Sequence, residues 1–530
     1  MSFTQKEEAN RDTIVDNIKN IVEEEDITWK SLKMIQSDNE IVLLGECTHG
    51  TEEFYEIRSD ISKNLIMDYG YRVIFIEAEW PDVYRVNQYV QGKNSDSSAI
   101  EALSNMKSFP IWMWKNKVFL QLIDWVKEYN KSNKEDMVYI LGIDCQQFLK
   151  SRQSVLDFLY SFDREFHGVI HNLTEVLGRF NTENKYANEV VKGSLRPLVD
   201  NIIARLQTAL ATYQWDKADG YFKNHKELGL DPMDILSGEQ SLEILVNGEE
   251  YFRKMLEEPP GSQASWNTRD QHMLMSIMRM RARYRDISGK LECPKIIVWA
   301  HNSHIGNSNA TNRGGEGFEQ NNTWNIGQMV KEMFPKTIAI GFYTNSGTVY
   351  AAKKDCKEGV IQKLLPAKLY SYEHFFHLVC EKYKLSKFMI NLKPYKFIPN
   401  NRKDYAKILL QQIPSSYRCI DTGKIYIAAG REIKKHSNTT LRLDSGDEII
   451  EFSKYGSICN YVYEVDTLFP ENIGDWLNCG LCQRWVGVHY VQETELQSHY
   501  GESNIAHQYD AIIFIDKTNA LITSCKNLIE

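Results

Sequence analysis

The sequence predicts an α/β fold: a central, largely parallel sheet flanked by helices, with a helical subdomain inserted and a smaller β-rich insertion near the C-terminus. Three observations point to it. Short apolar runs recur and stop abruptly on polar or ionisable residues, the pattern of strands buried on both faces. Stretches of helical periodicity separate them, as crossovers between parallel strands require. Two regions break that alternation: 147–290 is helical throughout, and 393–475 holds short β-like runs between polar turns.

In chain order, Asp12–Glu24 places Ile14, Ile18, Ile21 and Val22 on one helical face. Ile41–Leu44 is the first buried strand. It ends in a polar turn, Gly45-Glu46-Cys47-Thr48-His49-Gly50, and a helix starts after Thr51 and continues through Ile57–Asp68. Tyr71–Glu77 is a second strand ending on a carboxylate; Ala78 and Glu79 follow, and Trp80-Pro81 stops it, because proline cannot donate to a ladder. Asp82–Val90 is a short helix, Phe109–Trp114 an aromatic loop with a helix after it to Tyr129, and Met137–Asp144 a third strand ending on a carboxylate.

The helical region is expected to break near Gly220 and at Pro259-Pro260-Gly261, with Trp266–Asp286 as its last helix. Lys295–Ala300 is a fourth strand, followed directly by His301-Asn302-Ser303-His304. Gly306–Asn322 is loop by composition, with Gly314–Gly317 reading as a rim. Trp324–Phe334 and Tyr372–Tyr383 are helical, and Thr337–Phe342 and Phe388–Leu392 are strands. Within 393–475, Ile425–Ala428, Thr440–Leu443 and Glu448–Phe452 are β-like. Trp485–Tyr490 and Ala511–Asp516 are expected to rejoin the main sheet. This divides the chain into a first part of the core (1–146), the helical subdomain (147–290), a second part of the core (291–392), the β-rich insertion (393–475) and a C-terminal return (476–530).

Composition narrows the function. The net charge of −9 supplies no basic footprint, so nucleic acid is not the expected partner. No apolar run approaches the roughly 20 residues of a membrane helix. The opening MSFTQKEEANRD lacks the apolar centre of a signal peptide, and ten scattered cysteines suit free thiols, so a cytoplasmic location is expected. Cys479 and Cys482 form one CxxC without a second pair, which reads as an ordinary helix or turn feature.

Four strand ends carry ionisable groups: Glu46 with His49, Glu77, Asp144, and His301 with His304. In a parallel sheet these converge at one edge, where α/β folds hold their ligands. Singly, each is explained by a cap, a turn or a hydrogen-bonded structural histidine; the convergence is what favours a site. Histidine is the side chain best suited to take a proton near neutrality. His49 is therefore the candidate general base on a water, oriented by Glu46 or Glu77. His301 and His304 would hold substrate or stabilise an oxyanion, and Arg58 would polarise a carbonyl or bind a carboxylate. The same Glu/His cluster could instead ligate a divalent metal, although HNSH after a strand is not the helical HExxH. Cys47 is a weaker nucleophile candidate, since it can equally face the core. No G-x-S-x-G elbow or phosphate-binding Gly-rich loop is present.

At these residues the sequence resembles the erythromycin esterase family, which includes succinoglycan-biosynthesis-like proteins. The carrying motifs are GECTHGTEEFYEIR at Gly45–Arg58, VIFIE at Val73–Glu77, NQYV at Asn87–Val90, and FPIWMW with its helix ending WVKEYN. They continue with LGID at Leu141–Asp144, NTRDQHM at Asn267–Met273, VWAHNSHIG at Val298–Gly306, NIGQ at Asn325–Gln328, and RWVGVHY, HYGES and YDAIIFID. The resemblance implies an α/β core with a helical subdomain and hydrolysis of a cyclic ester by activated water, usually without a metal or other cofactor. It places the base on His49, supporting glutamates on Glu46 and Glu77, second-motif histidines on His301 and His304, and arginines on Arg58 and Arg269. Asp144 joins Arg58 and Arg269 as a candidate substrate-binding group. The implied partner is a small ester or lactone, a macrolide among the candidates. The 393–475 segment departs from the family pattern.

Overall fold

The structure is a computed structural model. It describes residues 3–24, 27–35, 38–107, 109–192, 196–213, 219–257, 262–312, 323–354, 356–396, 473–478 and 480–523, with five strand segments between 415 and 464. Nine strands form the main sheet: β1 (Val22–Glu23), β2 (Ile41–Leu44), β3 (Tyr71–Glu79), β4 (Tyr139–Asp144), β5 (Lys295–Trp299), β7 (Thr337–Ala352), β8 (Gly359–Leu364), β9 (Lys387–Asn391) and β17 (Ala511–Thr518). Their order is β1-β9-β17-β7-β2-β5-β3-β4, with β8 paired to β7. Strands β17, β7, β2, β5, β3 and β4 are mutually parallel, and β1, β8 and β9 pair antiparallel at the margins. Strand β2 is central and wholly buried, matching its four apolar residues.

Seven α-helices longer than one turn lie between β4 and β5 among the described residues, the last two being Pro232–Glu257 and Ala264–Ser288. The latter ends on Gly289 at φ 73°, the left-handed cap that glycine adopts without strain. The five segments β10 (Ser415–Cys419), β11 (Ile425–Ala429), β12 (Leu441–Asp444), β13 (Ile449–Phe452) and β14 (Tyr461–Glu464) form their own antiparallel sheet. A third sheet joins β6 (Thr311–Asn312), β15 (Leu481–Arg484) and β16 (Tyr500–Ser503).

Several expectations are corrected. The first helix ends at Lys19, and Val22 lies instead in β1, where backbone pairing with β9 overrides its helical spacing. Pro81 does more than stop β3. It occupies the first turn of helix Trp80–Val90, where its missing N–H has no partner to lose. The helical break expected near Gly220 is there: helix Arg196–Tyr213 ends before it, and helix Asp219–Leu228 starts one residue ahead of it. Strand β7 runs ten residues past the predicted end because its second half pairs with β8. Trp485–Tyr490 does not return as a strand of the main sheet; Val486 and His489 make single bridges to Thr48 and Ala352. Cys482 sits buried in β15. Part of the expected Gly306–Asn322 loop is β6, whereas Gly314–Gly317, Pro259-Pro260-Gly261 and Cys479 lie outside the described residues.

Candidate active site

The strand ends do meet. A cavity of about 480 Å3 opens at the carboxyl edge of β2, β3, β4 and β5, lined by His49, Glu77, Asp144, His301, His304 and Arg269 among others. Its other wall is apolar and aromatic, with Met106, Phe109, Met113, Trp114, Trp266 and Trp485.

The turn after β2 is pinned from two sides. Val486 N donates to Cys47 O (2.8 Å) and His49 N to Val486 O (3.3 Å), so the 485–490 segment straps the turn. Gly50 is required by close approach: a Cβ there would meet Tyr350 O at 1.8 Å. Within the turn, His49 Nδ1 faces Glu46 Oε1 at 2.9 Å, and Arg58 Nη2 donates to Glu46 Oε2 at 2.6 Å. This acceptor role of Glu46 puts the His49 proton on Nδ1 and leaves Nε2 as the basic lone pair. No described residue pairs with His49 Nε2, and the ring lines the cavity.

Arg58 is placed differently from the expectation. It is fully buried, its guanidinium lies over the Tyr55 and Trp299 rings (4.4 and 4.8 Å), and it is absent from the cavity wall. It backs Glu46 instead of reaching a substrate. Glu77 is also placed differently from one alternative: it touches the other histidines, not His49. Glu77 Oε2 accepts from His301 N (2.9 Å), and Oε1 accepts from Arg269 Nη2 (2.8 Å).

Arg269 is the hub of the floor. Nε and Nη2 donate to the two Asp144 oxygens (2.9 and 2.7 Å), a bidentate grip, while Nη2 also reaches Glu77. Asp144 therefore has both oxygens engaged before any ligand arrives. His304 has carboxylates on both nitrogens: Asp270 at 2.9 Å from Nδ1 and Glu77 at 3.2 Å from Nε2. Burial opposes a charge there, but Asp270 and then Glu77 overcome it and push His304 up to about 9, an imidazolium at neutral pH. Glu77 shows the reciprocal effect: burial opposes its charge, yet His304 and then Arg269 hold it well below the usual carboxylate range. His301 goes the other way. Burial first, then His49, holds it well below 6.5 and neutral. Its Nδ1 accepts from Ser303 N (3.2 Å), and its ring lies 4.8 Å from that of His49.

Asp270 and Trp266 complete the site without having been assigned a role from sequence. Trp266 stacks flat on His304, centroids 4.4 Å apart and planes within 2°. A signal was present: Trp266, Arg269, Asp270 and Met273 fall on one helical face. Cys47 faces the core; burial, then Glu373, drives its thiol far above neutrality, which removes it as a nucleophile. Among the described residues no three His, Cys, Asp or Glu side chains converge as a metal ion would need.

An α/β sheet with an imidazole, carboxylate and guanidinium cluster in a cavity at its carboxyl edge defines a class of ligand site. The chain belongs to the erythromycin esterase family, whose model matches residues 66–518. Erythromycin esterase type II of Escherichia coli is 25% identical over 285 residues, 52% of this chain and 63% of that relative. The match thus spans less than two thirds of that relative's length. The solved structure of a succinoglycan biosynthesis protein aligns over 97% of this chain and 99% of its own, with TM-score 0.61 and 16% identity. That of an erythromycin esterase mutant in an open conformation aligns over 94% and 95%, with TM-score 0.53 and 15% identity. These two likenesses show the fold. Among the described residues no helix is long and apolar enough to cross a membrane.

Proposed function

We propose that the protein hydrolyses a carboxylic ester or lactone with water activated by His49, without a metal. The observation that carries this is the relay: Arg58 holds Glu46, Glu46 holds His49 Nδ1, and His49 Nε2 is left facing the cavity. Nε2 takes a proton from water as the oxygen attacks the carbonyl carbon, and Glu46 stabilises the imidazolium that forms. Arg269 and the His304 imidazolium supply positive charge beside the developing oxyanion, at positions fixed by their carboxylate partners. His301, neutral and packed against His49, limits the base to one orientation. The apolar wall suits the carbon skeleton of a macrolide or a simpler ester, and the name of the Escherichia coli relative makes a macrolide lactone the first substrate to try.

The test incubates metal-stripped wild type beside His49→Ala with a macrolide and a panel of esters and lactones, reading the gain of one water by mass spectrometry. The expected result is hydrolysis by wild type alone, with His49→Ala slower by about 100-fold or more and its melting transition kept. Undiminished turnover by His49→Ala would sink the assignment. Activity that appears only when a divalent metal is restored would replace the metal-free reading.

A further inference from the structure

The described part of the cavity wall contains one carboxyl without a cationic partner. Glu79 ends β3, two residues after Glu77, at an irregularity in the β3–β4 register where it aligns with Asp144. Each other acid on the wall has a cationic partner: Glu77 has Arg269 and His304, Asp144 has Arg269, and Asp82 has Lys150. Glu79 has none among the described residues. Its Oε2 accepts only from the backbone N of Gln147, at 3.0 Å. The groups facing it are Asp144 from β4, Cys145 just after it, Asp82 from the helix that follows β3, Tyr251 from helix Pro232–Glu257 and Arg269 from the last helix, whose guanidinium is already gripped by Asp144 and Glu77. A carboxyl in that position, between two carboxylates and without a cation of its own, keeps its proton. Burial and then the charge of Asp144 raise it well above the usual range.

From this placement we infer that Glu79 is a second catalytic residue, the proton donor to the leaving oxygen; the inference rests on the ester-hydrolase reading above. His49 and Glu79 line one cavity, set apart along its wall by the Glu77–Arg269–Asp144 bridge, so base and acid need not be the same group. The step balances. Water gives one proton to His49 Nε2 and its oxygen bonds to the carbonyl carbon. The carbon–oxygen bond to the alcohol then breaks, its electron pair goes to the alcohol oxygen, and that oxygen takes the Glu79 proton. The His49 proton returns to Glu79 through solvent, leaving acid, alcohol and the starting enzyme. Two carboxyl environments driven apart within one site are a recurrent way of assigning acid and base roles.

A purely structural Glu79, holding the start of helix Phe148–Phe162 through Gln147 N, predicts different kinetics. The experiment compares wild type and Glu79→Gln on an alkyl ester and a nitrophenyl ester of one acid that the ester panel shows to be turned over. Nitrophenolate leaves without help, whereas an alkoxide needs a proton. The amide oxygen of Gln can still accept from Gln147 N, so the fold is kept. The expected result is a kcat loss of about 100-fold or more on the alkyl ester, with the loss on the nitrophenyl ester smaller by about tenfold or more. Equal losses on both esters, or none on the alkyl ester, would overturn the proton-donor role while leaving the hydrolase reading standing. Wild type inert on the whole panel would overturn that reading and this inference together.

Discussion

The imidazole of His304 lies between Asp270 and Glu77, and its charge is a stability element as well as part of the proposed oxyanion field. Its folded pKa of about 9 is above the ordinary 6.5. A raised histidine stabilises fully below the unfolded value and loses that contribution as pH rises through the folded value. The shift is worth about 3 kcal/mol. Urea midpoints of the wild type should therefore fall between about pH 7 and pH 10, and Asp270→Asn should start lower at pH 7 and decline less across that range. Parallel profiles would show that Asp270 does not set the His304 charge. The sequence marked His49, Glu46, Glu77, Asp144, His301 and His304 because each follows an apolar strand. It could not show that Arg58 would be sealed beneath Glu46, because a cation on a helix face reads alike whether it meets solvent or a buried carboxylate. Asp270 and Glu79 were visible as residues, but their weight comes from partners across other elements, which spacing along one chain does not encode.

Strands and their turns were the most legible elements, since a run buried on both faces leaves little freedom in its pattern. Helix 264–288 was anticipated to within two residues at each end. The misreadings fell where pairing beyond the element decides the outcome: Val22 captured by β9, the long β7 drawn out by β8, and 485–490 used as a strap. That strap holds the turn at Cys47 and His49, and the β7 extension holds it at Gly50, whose carbonyl accepts from Tyr350 N and Leu521 N, both at 2.9 Å. A side chain at Gly50 has to displace the Tyr350 backbone, not a flexible tip. Gly50→Ala should destabilise by about 1–3 kcal/mol in urea titrations and shift the His49 turn, so that activity falls with stability. An unchanged melting midpoint would mean that the β7 extension yields freely.

For the molecule as a whole, the flanks of the β-rich segment are tied to the core and to each other. Lys396 bonds Asp510 at 2.6 Å, and Asn478 Nδ2 donates to Tyr395 O at 3.0 Å. Replacing 397–472 with a short Gly-Ser linker should keep one cooperative melting transition and the ester hydrolysis proposed above. Loss of cooperative melting would show that the segment belongs to the core. The expected boundary at 393 rests on a change in strand length and polarity; the closeness of the two flanks had no such signal in the sequence.

The grip of Arg269 has a further meaning in time. Glu77 precedes it by 192 residues and Asp144 by 125. At ribosomal rates of roughly 5–20 residues per second, Glu77 waits about 10–40 s for the guanidinium that neutralises it. Until then the emerging β3 and β4 end in unbalanced negative charge, and the nascent chain holds the parts of the pocket without its polarity. Completion of the pocket's charge pattern thus coincides with docking of a late helix, so an unfinished chain lacks the polarity of the finished cavity.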